Sequence, residues 1–216
     1  MAFRSLNPES AHGRQSEARR NDLAVLEAAR DVFSAQGAGA PISAVAERAG
    51  VGMGTLYRRY GSKTELLQLL CVLAMEQALA AADTALAADD PWTGLTGYIR
   101  ACVEMRSGAL AALAGQVEVT PEMRVTAERG IAAAAEVVLR ARLDGRLRAD
   151  VTALDISLLI EAFSRRPADL PDPAEERNAR DRLLAVALDG LQAVAATPLP
   201  GRAPSRERYV GRWGRR

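Results

Sequence analysis

The segment Ile42–Tyr60, ISAVAERAGVGMGTLYRRY, constrains this chain more than any other stretch. Val45, Ala46 and Ala49 recur at helical spacing, Gly50-Val51-Gly52 breaks the period, and Thr55, Leu56 and Tyr60 recover it. Two short helices flanking a glycine turn cannot bury their own apolar faces. They need a third helix behind them, and the preceding residues supply it. Leu23, Leu26, Ala29, Val32 and Phe33 fall at helical spacing, with Asn21 or Asp22 placed to cap the start and Gly37 to end it. Leu56 and Tyr60 then form the face that packs on Leu26, Ala29 and Phe33.

The rest of the chain reads as helix as well. Ala, Leu, Arg and Glu dominate and aromatic residues make up 4%, a composition that favours an all-α fold over sheet. Gly37–Pro41 is a loop, and Pro41, lacking an amide hydrogen, suits the start of the next helix. Ser62 and Glu65 have capping-box spacing, which predicts reciprocal bonds at the start of a long helix reaching about Ala88. Its stripe is Leu66, Leu67, Leu70, Leu73, Ala74 and Leu79. Further helices are predicted at 92–107, 109–117, 121–146, 152–165 and 175–195, giving about nine in all, with Pro91 and Pro121 in first turns. Arg165–Pro173 reads as a loop. Residues 1–20 read as a flexible basic arm and 197–216 as a disordered basic tail.

Two helices joined by a tight turn and backed by a third form a helix-turn-helix unit, the shape that lays one helix in the DNA major groove. Net charge is +1, but it is unevenly spread. Residues 1–65 hold nine basic and seven acidic groups, 66–200 thirteen and nineteen, and 201–216 six and one. The acidic middle would repel phosphate, so contact with nucleic acid falls to the ends. Arg14, Arg19 and Arg20 could reach flanking phosphates. Arg202, Arg206, Arg208, Arg212, Arg215 and Arg216 would add attraction without sequence preference, unless both ends are plain tails.

Other classes find little support. His12 is the only histidine, and no nucleophile–base, metal or phosphate-loop spacing occurs, so no cofactor and no enzymatic activity are expected. Cys71 and Cys102 read as reduced, buried apolar residues. No secretion core is seen and no apolar run approaches membrane-spanning length, which predicts a cytoplasmic protein without membrane contact. A helical protein-interaction module is the other alternative. It would give no role to Lys63, the only lysine among 28 basic residues, beside TLYRRY.

The segment from Val25 to Leu67, with VLEAARDVFSAQG and ISAVAERAGVGMGTLYRRYGSKTELL, resembles the N-terminal DNA-binding domain of the TetR family of transcriptional repressors. The resemblance implies a helix-turn-helix domain at 21–66 and a helical ligand-binding and dimerisation domain at 67–196. It implies that Thr55 and Tyr57 hydrogen-bond phosphates, that Lys63 binds a phosphate together with the positive end of its helix, and that Ser43 contacts a base or phosphate. Gly52, Met53 and Gly54 depart from the family's groove-facing side chains. Met53 could touch a thymine methyl, and Gly54 admits close approach of the backbone. Specificity then shifts to Arg58, Arg59 and Ser43, and either arginine reads guanine or binds phosphate.

Family resemblance also implies double-stranded DNA with a palindromic operator as partner, a homodimer, and an unidentified small-molecule inducer. Candidate interface residues are Ile156, Leu159, Ile160 and Phe163 on one helix and Leu184, Ala187, Leu188 and Leu191 on the next, although both stripes also suit the subunit's own core. Candidate cavity residues are Trp92, Tyr98, Cys102, Met105, Arg106, Gln116 and Glu118, each equally readable as packing or surface. The run Arg142–Asp155, with LDGRLRADVTALD, resembles the segment joining two late helices in an actinobacterial-type branch of these regulators.

Overall fold

The computed structural model describes residues 8–165, 173–194 and 197–213. Its helices are α1 (Pro8–Gln36), α2 (Ile42–Ala49), α3 (Met53–Tyr60), α4 (Lys63–Leu86), α5 (Pro91–Glu104), a 3-10 helix (Ser107–Leu113), α6 (Pro121–Leu143), α7 (Ala153–Ser164), α8 (Pro173–Gly190) and α9 (Arg206–Gly211). Among the described residues there is no strand, only an isolated antiparallel bridge between Leu147 and Gln192.

Most boundaries follow from local chemistry. Asp90 accepts from the Thr93 amide at 2.9 Å and Thr120 from the Met123 amide at 3.2 Å. In both cases the next residue is proline, whose missing N–H would be unpaired in a first turn anyway. Thr152 and Asp155 form a complete capping box at α7. The box expected at α4 is one-sided. Ser62 accepts from the Glu65 amide at 3.1 Å, but its own amide turns back to the Tyr60 carbonyl at 2.7 Å, while its hydroxyl donates to the Glu65 carboxylate.

Two expectations about the chain ends are corrected. Helix α1 begins at Pro8, so the part of the expected arm from Pro8 to Arg20 is helical, and neither Asn21 nor Asp22 caps its start. Within the expected tail, Arg206–Gly211 is the helix α9, which packs on the body. Residues 1–7 of the arm, 166–172 of the expected loop and 214–216 of the tail lie outside the described residues.

Two cores hold the molecule. The first joins α1 to α3 with the start of α4, and also draws in Leu110, Leu113, Val117 and Met123 from farther along the chain. The buried face of α1 is Val25, Ala28, Ala29, Val32 and Phe33; Leu23, expected on that face, is exposed. The second core gathers the end of α4 with α5 to α8. Helix α4 runs through both. By length and composition it could cross a membrane, contrary to the expectation from sequence. Here it is the central helix, packing on α5, α6 and the 3-10 helix with Leu66, Leu67, Leu70, Cys71 and Ala74 buried.

Arg148, largely buried, fixes the far end of the chain. Its guanidinium pairs with Asp150 and donates to the carbonyls of Gly190 and Thr197, while Asp150 accepts from the Leu199 amide at 2.9 Å. The tail therefore leaves the body from a fixed point.

Candidate nucleic-acid interface and ligand cavity

The turn between α2 and α3 is built by Gly50. At φ +68° its amide donates to Glu47 at 3.1 Å and the Val51 amide donates to Ala46 at 3.0 Å, the paired bonds of a Schellman end. A side chain at Gly50 would be strained in this left-handed conformation. The paired bonds end α2 and turn the chain through Val51 into Gly52, whose extended backbone opens α3.

Only Leu56 of α3 is fully buried, so it anchors the helix to the first core, and truncation to alanine there should cost about 3 kcal/mol. Met53, Gly54, Thr55, Tyr57, Arg58 and Arg59 are all exposed. Apart from its chain neighbours and the backbone of its own helix, no atom lies within 4 Å of the place a Gly54 side chain would occupy. Ser43 is exposed in the first turn of α2. Lys63 is the first residue of α4, and its ammonium lies 5.9 Å from the centre of the Phe33 ring. The helix start and the ammonium thus bring positive charge together beside α3.

The two arginines part ways. Arg59 pairs with Asp22 on α1, and the Tyr60 hydroxyl donates to the same carboxylate at 3.4 Å. Arg58 has no ion pair among the described residues. Sequence reasoning treated them alike because Asp22 lies 37 positions from Arg59.

A cavity of about 380 Å³ lies between the two cores. Of the seven candidate residues, Tyr98 and Cys102 line it. The other five sit elsewhere. Trp92 packs against the second core, and Met105 ends α5. The Arg106 guanidinium pairs with Asp31 of α1, and its side chain is only 11% exposed. Gln116 accepts from the Ala38 amide at 3.0 Å and donates to the Ala112 carbonyl at 2.7 Å, stapling the loop after α1 to the 3-10 helix. Glu118 is exposed, and its carbonyl accepts from Gln68.

The walls that sequence reasoning missed are mostly small or come from the tail: Ala74, Ala78, Gly108 and Ala134, with Tyr209 and Trp213 beyond α7. Glu161, 5% exposed, contributes the buried carboxylate. Arg212 donates to both its oxygens, Nη2 to Oε1 at 2.7 Å and Nη1 to Oε2 at 3.1 Å. Burial, together with the hydrogen bond and charge of Glu161, pushes the Tyr209 phenol well above its ordinary range. Burial also raises the Tyr98 phenol and the Cys102 thiol, and takes the Cys71 thiol to about 12. Both free thiols are buried, as expected, and give the cavity a weakly acidic, largely apolar wall.

The interface candidates divide differently from expectation. Ile156, Ile160, Leu184 and Leu188 are buried in the subunit's own second core, with Leu159, Phe163 and Leu191 packed against it; Ala187 is partly exposed. The apolar residues left in solvent are others. Leu183 and Val186 on α8 are 61% and 69% exposed, and Leu158 on α7 is also exposed.

Comparison with known proteins agrees with this architecture. Residues 25–70 match the family model described as bacterial regulatory proteins of the tetR family, and residues 90–193 match the transcriptional regulator SbtR-like C-terminal domain. No curated protein matches the chain. Among solved structures, the TetR transcription regulatory protein from Mycobacterium vanbaalenii is 30% identical, with 82% of this chain and 98% of that one covered and a TM-score of 0.50. The ketosteroid transcriptional regulator KstR2 of Mycobacterium tuberculosis shares the fold at 20% identity, 81% and 95% coverage and a TM-score of 0.56. So does LfrR from Mycobacterium smegmatis, solved in complex with proflavine, at 22% identity, 78% and 96% coverage and a TM-score of 0.55. These relatives are regulators of transcription and not enzymes. With a helix-turn-helix unit, a helical body and matches across both, this chain belongs to the TetR family of transcriptional regulators and binds DNA.

Proposed function

We propose that this chain is a ligand-responsive repressor that binds a palindromic operator as a homodimer. Its DNA-binding domain spans 21–66 and its ligand-binding and dimerisation domain 67–196. The observation that carries the operator reading is the exposed face of α3, with Met53, Thr55, Tyr57 and Arg58 in solvent, Ser43 exposed on α2 and Lys63 next to it at the start of α4. Thr55, Tyr57 and Lys63 hold phosphates, and Met53 and Arg58 meet base edges. Asp22 draws Arg59 back toward α1, so base reading falls mainly to Arg58. Ser43 and the open backbone at Gly54 complete the contact surface.

One unit reads too few base pairs to find a site in a genome, so two must act together. Leu183 and Val186, one turn apart on α8, with Leu158 on α7, supply an apolar face for a second copy. The ligand enters the cavity beside Tyr98 and Cys102. It favours a state in which the two α3 helices no longer fit successive major grooves, about 34 Å apart. Arg106, between the 3-10 helix at the cavity and Asp31 on α1, carries that change to the DNA-binding domain.

Fluorescence anisotropy against duplexes covering palindromes near the chain's own gene tests this reading. Affinity should fall steeply with salt as phosphate contacts release counterions. A flat salt response would sink it.

A further inference from the structure

We propose that the cavity takes an amphipathic organic cation whose head group replaces Arg212 on Glu161, and that the tail segment carrying α9, Arg212 and Trp213 is a built-in occupant that this ligand displaces. The assignment rests on the ligand-responsive reading above and adds to it the chemistry of the ligand.

Glu161 is, among the described residues, the buried acidic group, and it lines a cavity whose deep walls are Cys71, Ala74, Ala78, Leu110 and Ile160. A carboxylate buried in such a place calls for a cation, because burial strips it of hydration and the apolar wall offers nothing in its stead. The group that satisfies it, the Arg212 guanidinium, comes from the tail and bonds both carboxylate oxygens. The pair is also lopsided: the Glu161 side chain is 7% exposed and that of Arg212 is 34% exposed. The anion is therefore fixed in the body on α7, while the cation comes from the tail, on the residue that follows α9. The other charged residues lining the cavity, Arg124, Glu128 and Arg206, are exposed.

The apolar residues of the tail follow the same logic. Tyr209, Val210 and Trp213 line the cavity alongside the Arg212 contact. Together they have the make-up of an amphipathic cation: an aromatic and aliphatic body next to one positive head. A free molecule of that design meets the same walls and the same carboxylate.

Occupancy would also be felt at a distance. A side chain built at Gly108 would come within 2.7 Å of the Glu161 Cα, so the 3-10 helix lies directly on the backbone of α7 at that residue. Arg106, which holds Asp31, lies two positions before Gly108.

Calorimetric titration of the full chain with octylamine, octanol and octanoate, which share a tail and differ in head-group charge, tests the assignment. Octylamine should bind about tenfold or more tighter than octanol, and octanoate most weakly. R212Q, which removes the internal competitor, should tighten octylamine by a similar factor, and E161Q should abolish the preference for the amine. Equal affinity for the three, a preference for octanoate, or failure of octylamine to bind R212Q would overturn the proposal. If E161Q does not fold, R212Q alone decides. Octylamine binding that leaves operator affinity unchanged upholds the cavity assignment and overturns the ligand-responsive reading instead.

Discussion

Asp31 on α1 pairs with Arg106, 75 positions away at the start of the 3-10 helix, and so joins the DNA-binding domain to the body. Its second oxygen accepts from Arg48 at the end of α2 at 2.6 and 3.0 Å. A single carboxylate therefore ties three elements. Burial opposes its ionisation, but hydrogen bonds and charge from Arg106 and Arg48 outweigh burial and hold it below the usual carboxylate range.

A depressed carboxylate stabilises the fold at pH values above its unfolded value of about 3.9, and that stability is lost as pH falls through the lower folded value. D31N should thus cost about 2 kcal/mol at neutral pH, largely because Arg106 loses its partner in a mostly buried setting. The gap between wild type and D31N should narrow below about pH 4 in urea melts. A pH-independent gap would show that the carboxylate charge is not what matters.

Arg106 is also the only non-glycine among the described residues at positive φ, +53°. Left-handed backbone costs roughly 1–2 kcal/mol for a residue with a β-carbon. R106G and R106A both lose the ion pair, yet R106G should be the more stable by about 1 kcal/mol in thermal denaturation. The reverse order would place the strain elsewhere.

Gly54 should separate stability from function. It sits in a helix with open space where a side chain would go, so G54A should stabilise the fold by about 1 kcal/mol. If the duplex backbone approaches there, the added methyl weakens operator binding in anisotropy titrations. Unchanged binding would mean that the duplex does not come close at Gly54.

The Asp22–Arg59 pair predicts unequal arginines. R58A should relax preference at one base pair by about 1–3 kcal/mol, whereas R59A should leave base preference intact. D22N should release Arg59 and raise overall affinity for any sequence. Base-preference profiles from a randomised duplex pool decide between them, and loss of base preference in R59A would reverse the assignment. K63A should weaken binding on all sequences and lower the salt slope by about one.

Light scattering separates core from interface. L183E and V186E place charge on exposed positions and should give folded monomers. L188E buries a charge in the second core and should unfold the chain. Dimers persisting in the L183E/V186E double variant would rule out this face of α8.

What the sequence disclosed was local. The glycine turn, the proline-led helices and the α3 anchor Leu56 depend on neighbours within a few positions, and all were legible. The ion pairs of Asp22 and Asp31 span long separations, and nothing in residue spacing encodes them. A periodic stripe shows that a face is covered without showing by what. Ile156, Ile160, Leu184 and Leu188 therefore read equally as core and as interface. The cavity was sought among large and polar residues, but many of its walls are small side chains such as Ala74, Ala78, Gly108 and Ala134, whose contribution is space. In the tail, abundant Pro, Gly and Arg masked Tyr209, Val210 and Trp213, whose spacing over one helical turn was the signal for α9.

The anchorage of Leu199 by Asp150 and of Thr197 by Arg148 sets how α9 competes for its seat. Only residues 200–205 separate that anchor from α9, so a released α9 stays near the cavity at an effective concentration of about millimolar order. Any free ligand must outcompete this tethered rival, and its apparent affinity falls by the fraction of time the seat is vacant. Lengthening residues 200–205 would lower that threshold without altering a single contact in the cavity, making the tether a dial for the concentration at which the regulator responds.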